Sequence, residues 1–299
     1  MSYARNIAPD NELRLRMAFT YLCLIGIWLI GFLLLLLTGA GIILAAVIEF
    51  IILFLQYWYS DRIAMFGIGA TEVSRSDAPE LHLMVDRLCE LAAMPKPRLA
   101  IADTDMPNAF AAGRNSRHSV IIVTRGLQDR IDDDELYAVL SHEIAHIAHR
   151  DVAVMAIASS VVILAGLLTQ ASIWNSMSSS RRGRNDSRGA SIVTSIALYV
   201  VSLLLIRAVS RYRELLADRT GAILISDPRS LASALTKITG EIGSIPRKDL
   251  RSAESFNAFF FAPALGHRKG QSFSNLFATH PPLHKRLEQL EQIELMLNS

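Results

Sequence analysis

Residues 141–150 read SHEIAHIAHR, and the rest of the chain is interpreted around them. On a helix, residues four apart lie on one face, so His142 and His146 point the same way. Two imidazoles in this arrangement can bind one metal ion. Glu143 lies about 100° around the helix from His142, where it can reach a water on that ion. The spacing is typical of a metal-dependent peptidase.

The residues around this motif predict a long helix. Acidic residues at 132–135 suit a helix N-terminus, and apolar residues follow at helical spacing. A polar stripe on a half-buried helix would explain one histidine, but not three with a glutamate between the first two. His149 shares the face of the other two histidines, yet it lies roughly 10 Å along the axis from His142, too far for one tetrahedral ion. A third ligand is therefore expected elsewhere.

The best candidate for that ligand is Glu214, in the helical stretch from Arg211 to Asp218. Asp218 follows one turn later, so Glu214 is predicted to bind the metal and Asp218 to orient a ligand histidine. Spacing alone leaves a second interpretation open. The same stretch also fits a solvated helix with charge pairs four residues apart.

The composition indicates a membrane protein. Hydrophobic residues make up 51% of the 299, and the mean hydropathy is +0.31. Between Met17 and Trp58 the only charged residue is Glu49, and because about 20 residues span a bilayer, this run is long enough for two crossings. Two further uncharged runs follow the histidine motif. The sequence thus predicts four transmembrane helices, at Met17–Leu37, Ala40–Tyr59, Val152–Ile173 and Ser191–Ile206.

The predicted fold is mainly α with a small β-sheet, a membrane-anchored zincin-like architecture. Strands are predicted at Arg98–Ala102 and Ser119–Thr124. The extended segment Met106–Arg114 lies between them and is either an exposed edge for a substrate backbone or an ordinary hairpin strand. The predicted domains are an N-terminal transmembrane hairpin (1–60), the first part of a protease domain (61–151), a second transmembrane helix pair with a polar loop at 175–190 (152–209), and the second part of the protease domain (210–299).

Arginines indicate the orientation. Arg5, Arg14 and Arg16 precede the first span, so the positive-inside rule places the N-terminus, and after two crossings the catalytic region, in the cytoplasm. Four arginines in the loop at 175–190 oppose this orientation, because a third crossing would place that loop outside the cytoplasm. Either the last two apolar helices do not fully cross, or the rule is overridden there. The prediction is a multi-pass plasma-membrane protein with its catalytic side in the cytoplasm.

Charge and cysteine content exclude other classes. A net charge of +2 is too small to indicate a nucleic-acid partner. Cys23 and Cys89 have neither the number nor the spacing of a disulfide framework or a metal-binding motif.

Four motifs occur in an order that resembles the HtpX-type membrane zinc metalloproteases, relatives of the CAAX prenyl protease. The likeness runs from about Gly67 to Leu290. The motifs are Asn108-Ala-Phe-Ala-x-Gly-Arg, His142-Glu-x-x-His146 with Arg150-Asp151, Arg211-x-x-Glu214-x-x-x-Asp218, and Thr279-His280-Pro-Pro-x-x-x-Arg286.

This resemblance implies one Zn²⁺ per chain, bound by His142, His146 and Glu214, with Glu143 as the catalytic glutamate. It also implies that Asn108 and Arg286 line or brace the site, and that His280 stabilises the oxyanion. Protein quality control and the stress response are the biological setting that it suggests.

The predicted function is zinc-dependent endopeptidase activity at the membrane surface. His146 lies six residues before Val152, where an apolar run begins, so the metal is expected within about 10 Å of the lipid. Predicted substrates are membrane proteins or juxtamembrane segments, including misfolded ones, and the bilayer is itself a partner. Two alternatives stay open: a non-catalytic zinc-stabilised membrane interaction protein, and a protease restricted to prenylated C-termini.

Overall fold

The computed structural model describes residues 11–36, 40–155, isolated positions between 158 and 169, 185–244 and 280–299. Most of these residues are helical, and the strands of a small sheet lie between the third and fifth helices, so the predicted mainly α fold with a small sheet is confirmed. In chain order the helices are α1 Asn11–Leu36, α2 Ala40–Trp58, α3 Ser60–Ile68, α4 Pro79–Ala92, α5 Arg125–Gln128, α6 Asp133–Ala148, α7 Asn185–Ile225, α8 Pro228–Ser244 and α9 Leu283–Asn298.

The sheet is mixed and presents one strand at its edge to the histidine helix. Its strands are β1 Ala70–Glu72, β2 Arg98–Ala102, β3 Ala109–Asn115 and β4 His118–Thr124, in the order β1-β2-β4-β3. β2 pairs with β4 in parallel, whereas β1 and β3 pair with their neighbours antiparallel. β3 is therefore an edge strand, and it packs beside α6. The extended segment expected at Met106–Arg114 contains most of β3, which is both the edge of the sheet and one arm of a hairpin with β4. Its use as an edge for a substrate backbone stays a prediction.

The motif helix α6 begins with a reciprocal cap. The Asp132 side chain accepts the Glu135 backbone N–H at 2.9 Å, and the Glu135 carboxylate accepts the Asp132 backbone N–H at 3.0 Å. Two N–H groups of the first turn are satisfied in this way. The apolar side of α6, including Val139, Leu140 and Ile144, is buried in the main core. The helix predicted from the acidic start and the apolar spacing is confirmed.

Helix α7 joins two segments that the sequence suggested separately. It runs from Asn185 to Ile225 without a break, so the apolar stretch from 191 and the segment carrying Glu214 belong to one helix. The prediction of a loop at 175–190 was wrong for its last residues, because α7 already begins at Asn185. Residues 175–184 lie outside the described residues.

A glycine permits the close crossing of α6 and α7. A Cβ atom added to Gly221 would lie 2.9 Å from the backbone N of His142 and 3.0 Å from Ser141 Oγ. Gly221 is seven residues after Glu214 and three after Asp218, so all three lie on the same face of α7. The crossing thus brings that face directly against the first histidine of the motif.

Gly221→Ala is expected to destabilise the protein by about 1–3 kcal/mol, because the added methyl group forces α6 and α7 apart. Gly240→Ala is the matched control, since no atom lies within 4 Å of a Cβ at that exposed position of α8. There alanine should stabilise the helix by about 0.5–1 kcal/mol. Thermal unfolding of the two purified variants measures the difference. A stabilising effect of Gly221→Ala would contradict the close crossing.

In the part of the chain that the structure describes, no helix combines the length and the hydropathy of a membrane crossing. The run predicted at Val152–Ile173 falls largely outside the described residues, as does the side chain of Glu49. The four predicted spans therefore stay a prediction.

A candidate metal centre

Three side chains from α6 and α7 converge at the helix crossing. The Nε2 atoms of His142 and His146 lie 2.9 Å apart. Glu214 Oε1 lies 3.5 Å from His146 Nε2, and Glu214 Oε2 lies 3.8 Å from His142 Nε2. The structure thus brings together the three residues that the sequence suggested as ligands.

The spacing of these atoms fits a bound cation. Ligand bonds of about 2.0–2.2 Å at tetrahedral angles place neighbouring donor atoms about 3.3 Å apart, close to the separations seen here. Glu214 Oε2 is also buried and makes no hydrogen bond within the described residues, although His280 Nδ1 lies 3.2 Å away. An unsatisfied buried carboxylate oxygen is costly, and a cation at this point would satisfy it.

The Nδ1 atom of each of these two histidines contacts a carboxylate. His142 Nδ1 lies 2.9 Å from Asp218 Oδ1, and His146 Nδ1 contacts Asp151 Oδ2. When Nδ1 donates to a carboxylate, Nε2 is left with its lone pair towards the metal. Asp218 therefore contacts one of the motif histidines, and its role in orienting a metal ligand stays a prediction.

The role of Asp151 was missed from the sequence, although Arg150-Asp151 was part of a recognised motif. Asp151 lies five residues after His146 and beyond the end of α6, where helical spacing no longer applies. Arg150 has a φ of 57°, and this turn of the backbone returns Asp151 to the histidine. The acidic residue three positions after the end of the motif helix was the signal.

Two buried arginines neutralise these carboxylates. Arg286 donates from Nε and Nη2 to the two oxygens of Asp218, both at 2.6 Å. Burial alone would raise the pKa of Asp218, but the Arg286 charge and hydrogen bonds outweigh it and lower this pKa. Arg213 pairs with Asp151, and its Nη1 lies 3.3 Å from the hydroxyl of Tyr21 in α1. Each histidine is thus held by a carboxylate that is itself held by an arginine.

Asp151→Asn is expected to weaken metal binding about 10–100-fold, the usual effect of losing a partner behind a ligand histidine. The amide cannot accept from both His146 and Arg213. Asp103→Asn is the control, because its side chain is 94% exposed and its ion pair is with Arg125 rather than with a motif histidine. Competition with a chromophoric chelator measures the affinity, and an unchanged value in Asp151→Asn would contradict this role.

The protonation of the three donors also suits a cation. Burial lowers the pKa of His142 to about 4, so this ring is neutral. Burial would lower the pKa of His146, but the hydrogen bond to Glu214 outweighs it and raises the value. Burial would raise the pKa of Glu214, but His280 and His146 hold it well below the ordinary range. Positive charge is therefore favoured between His146 and Glu214, where a metal would displace the proton.

Glu143 lies between these donors and the sheet edge. It is buried, and its Oε2 accepts the backbone N–H of Ala111 in β3 at 2.8 Å. Burial raises its pKa to about 7. A carboxylate with this pKa can both accept and release a proton near neutral pH, as a general base must.

The other predicted site residues lie around this centre. Asn108 is buried, and its backbone N–H and C=O both bond Thr124 Oγ1 at 2.9 Å, which fixes the start of β3. His280 is buried beside Glu214 and is not among the described residues that line the cleft. His149 Nε2 lies 3.3 Å from Thr220 Oγ1, and His149 is not in the donor set found among the described residues.

A cleft of about 340 Å³ opens onto the centre. Its walls come from the edge strand β3, from α6 around Glu143, from the start of the segment after Asp151, and from the C-terminal end of α2. An acidic side chain held between three metal donors and an open sheet edge is the arrangement of a metallopeptidase.

Comparison with known proteins agrees. The chain belongs to peptidase family M48, whose family model matches residues 75–294. It is 46% identical over 291 residues to Protease HtpX homolog 1 of Streptomyces coelicolor, covering 96% of this chain and 95% of that one. It is 44% identical to Protease HtpX homolog of Moorella thermoacetica, covering 97% of each. The predicted resemblance is confirmed.

A solved structure shares the fold. The crystal structure of S. mikatae Ste24p superimposes with a TM-score of 0.58 at 17% identity, covering 94% of this chain and 67% of that one.

Proposed function

We propose that this metallopeptidase is a zinc-dependent endopeptidase that cleaves membrane proteins and their juxtamembrane segments. The observation that carries the proposal is the position of Glu143, between the donor set and Ala111 of the edge strand. A structural zinc site has no use for a buried glutamate there and closes its fourth position with protein. Among the described residues the cluster offers three donors, which leaves a position open for chemistry.

In this proposal His142, His146 and Glu214 hold one Zn²⁺ per chain. When bound, zinc lowers the pKa of a water towards about 7 and polarises the scissile carbonyl. Glu143 accepts the proton from the attacking water and delivers it to the leaving amine. Its bond to the Ala111 N–H holds the carboxylate in place for both transfers.

Substrate backbone binds along β3. An edge strand has unpaired N–H and C=O groups, and an extended peptide can add to it with little demand on its side chains. This mode suits an endopeptidase with varied substrates.

The supporting residues act through their neighbours. Asp218 and Arg286 orient His142, and Asn108 sets the start of β3. His280 stays our candidate for oxyanion stabilisation. Its Nδ1, 3.2 Å from Glu214 Oε2, also supports a second role in bracing that ligand.

The membrane setting is supported by exposed apolar side chains on α1 and α2. Large apolar residues project from both helices without cover from the described part of the chain, among them Phe19 at 66% and Phe50 at 68% exposure. Lipid is the partner that such surfaces fit. We propose the four spans, the four domains with boundaries at 60, 151 and 209, and the cytoplasmic catalytic side as predicted. Quality control of misfolded plasma-membrane proteins under stress is the biological role in this proposal.

The test uses the full chain in lipid nanodiscs and one reporter segment, either anchored by a transmembrane helix or fused to a soluble domain. Cleavage should stop with a chelator and return with Zn²⁺. The anchored reporter should be cleaved at least about ten-fold faster, because anchoring raises its effective concentration. Cleavage that resists the chelator would contradict the zinc mechanism. Equal rates on the two reporters would contradict the membrane substrate class alone.

A further inference from the structure

The C-terminal end of α2 is hydrogen-bonded to the end of the edge strand. The Tyr57 hydroxyl donates to the Arg114 carbonyl oxygen at 2.7 Å, and Arg114 Nη1 donates to the Trp58 carbonyl oxygen at 3.2 Å. The Arg114 guanidinium carbon also lies 4.2 Å from the centre of the Trp58 ring, a cation–π contact. We refer to Tyr57, Trp58 and Arg114 as the α2–β3 clamp.

The regular pairing of β3 ends at the same place. The register between β3 and β4 shifts between Gly113 and Asn115, which marks a bulge. Gly113 has a φ of 129°, and a Cβ there would lie 2.1 Å from the His118 carbonyl oxygen, so only glycine fits. A bulge bends the strand and re-aims the groups that follow it. The Arg114 carbonyl oxygen is accordingly directed to Tyr57.

The free edge of β3 is therefore short. Ala111 directs its N–H outwards, because that N–H bonds Glu143. In an antiparallel pair such residues alternate with those bonded to the neighbouring strand, so Ala109 and Gly113 also face outwards. Beyond Gly113 the next carbonyl is bound within the clamp. Ala109 is fully buried, and the Ala111 N–H is already bonded to Glu143. A peptide on this edge therefore has backbone partners at the Ala111 carbonyl and at Gly113, and none further along.

We infer that the α2–β3 clamp is a specificity-determining stop at one end of the substrate cleft. The inference rests on the proposed function, in which substrate adds to β3 as a strand. Antiparallel addition is slightly more stable than parallel, and it directs the amino-terminal side of the substrate towards Arg114. With the scissile bond near Glu143 and Ala111, no more than about three residues on that side can pair with the strand.

The chain must then leave the edge along an apolar wall. Apolar side chains that line the same cleft include Leu53 of α2 and Val152 and Met155 after the motif helix. Substrate residues further from the scissile bond on the amino-terminal side make no backbone pairs. Their side chains contact this wall, which favours apolar ones. A segment that emerges from a bilayer has the composition that suits such a wall.

A proline scan tests the stop, because proline cannot donate to a strand and its ring hinders pairing. The full chain in nanodiscs is given peptides with one scissile bond and a single proline at successive positions. Within three residues on the amino-terminal side, proline should lower kcat/KM about ten-fold or more, a loss of roughly 1.4 kcal/mol. At the fourth to sixth positions the change should stay below about two-fold. Sensitivity at those positions in the wild type would overturn the stop.

The clamp variant Tyr57→Phe with Trp58→Ala should extend the proline sensitivity to the fourth and fifth positions. Tyr59→Phe is the matched control, because this neighbouring side chain is exposed and contacts Arg62 rather than β3. A folded clamp variant with the wild-type profile would overturn the inference. Sensitivity at no position would contradict strand addition itself, and with it the proposed binding mode. A stop on the carboxyl-terminal side would overturn the direction inferred here.

Discussion

Glu143→Gln is expected to lower kcat for peptide hydrolysis at least about 10³-fold, within the range of general acid–base catalysis. The amide keeps the volume of the side chain and can still accept the Ala111 N–H through its oxygen. It cannot take a proton from water. Metal content and thermal stability should stay close to those of the wild type, because Glu143 is not one of the three donors at the helix crossing.

Asp134→Asn is the matched control for this result. It removes one carboxylate from the exposed first turn of the same helix and should leave kcat within about two-fold. Rates are measured on the anchored reporter in nanodiscs, with zinc content determined for each preparation. A Glu143→Gln protein with wild-type kcat and full zinc would remove the proposed catalytic role. Loss of zinc together with activity would indicate that Glu143 supports the metal site instead.

Glu214→Gln is expected to weaken zinc binding by about 10²-fold or more, because an amide oxygen is a poorer ligand than a carboxylate. The change also removes the charge that His280 and Arg286 face across 3.2 and 3.6 Å. Activity at low free zinc should be lost in parallel and partly return at high zinc.

Glu291→Gln, an exposed change on α9, is the control for Glu214→Gln. Affinity is obtained by competition with a chromophoric chelator, and stability by thermal unfolding with and without zinc. The stabilisation that zinc adds to the wild type should shrink in Glu214→Gln, because the free energy by which a ligand stabilises the fold grows with the logarithm of its affinity. Unchanged affinity would mean that the third ligand is another residue.

The local features of α6 were predictable from the sequence because they depend on helical periodicity. Residues four apart share a helix face, so His142 and His146 meet at 2.9 Å as expected. The Asp132 cap follows from an acidic residue three positions before Glu135. The segment after Pro107 was also recognisable as an extended segment that lies, along the sequence, between two predicted strands. These relations span few residues, and backbone geometry alone determines them.

Other features were not predictable because the residues involved are distant in sequence or follow a break in regular structure. Asp151 lies beyond the end of α6, and only the turn at Arg150 brings it to His146. Helix α7 begins at Asn185, inside the segment that was expected to be a loop up to residue 190. Gly221 resembles any helical glycine until the backbone of α6 is placed against it.

Sequence alone determined which residue types are available for metal chemistry and on which helix face they lie. It also determined the order of four motifs typical of the M48 peptidases. Tertiary packing determined that Glu214, sixty-eight positions after His146, meets the histidines, and that α2 ends the free edge of β3 at Arg114. The physical reason is that spacing restricts only neighbours along the chain. Contacts across the fold depend on how closely helices and strands can approach, which side-chain volume and backbone bends control together.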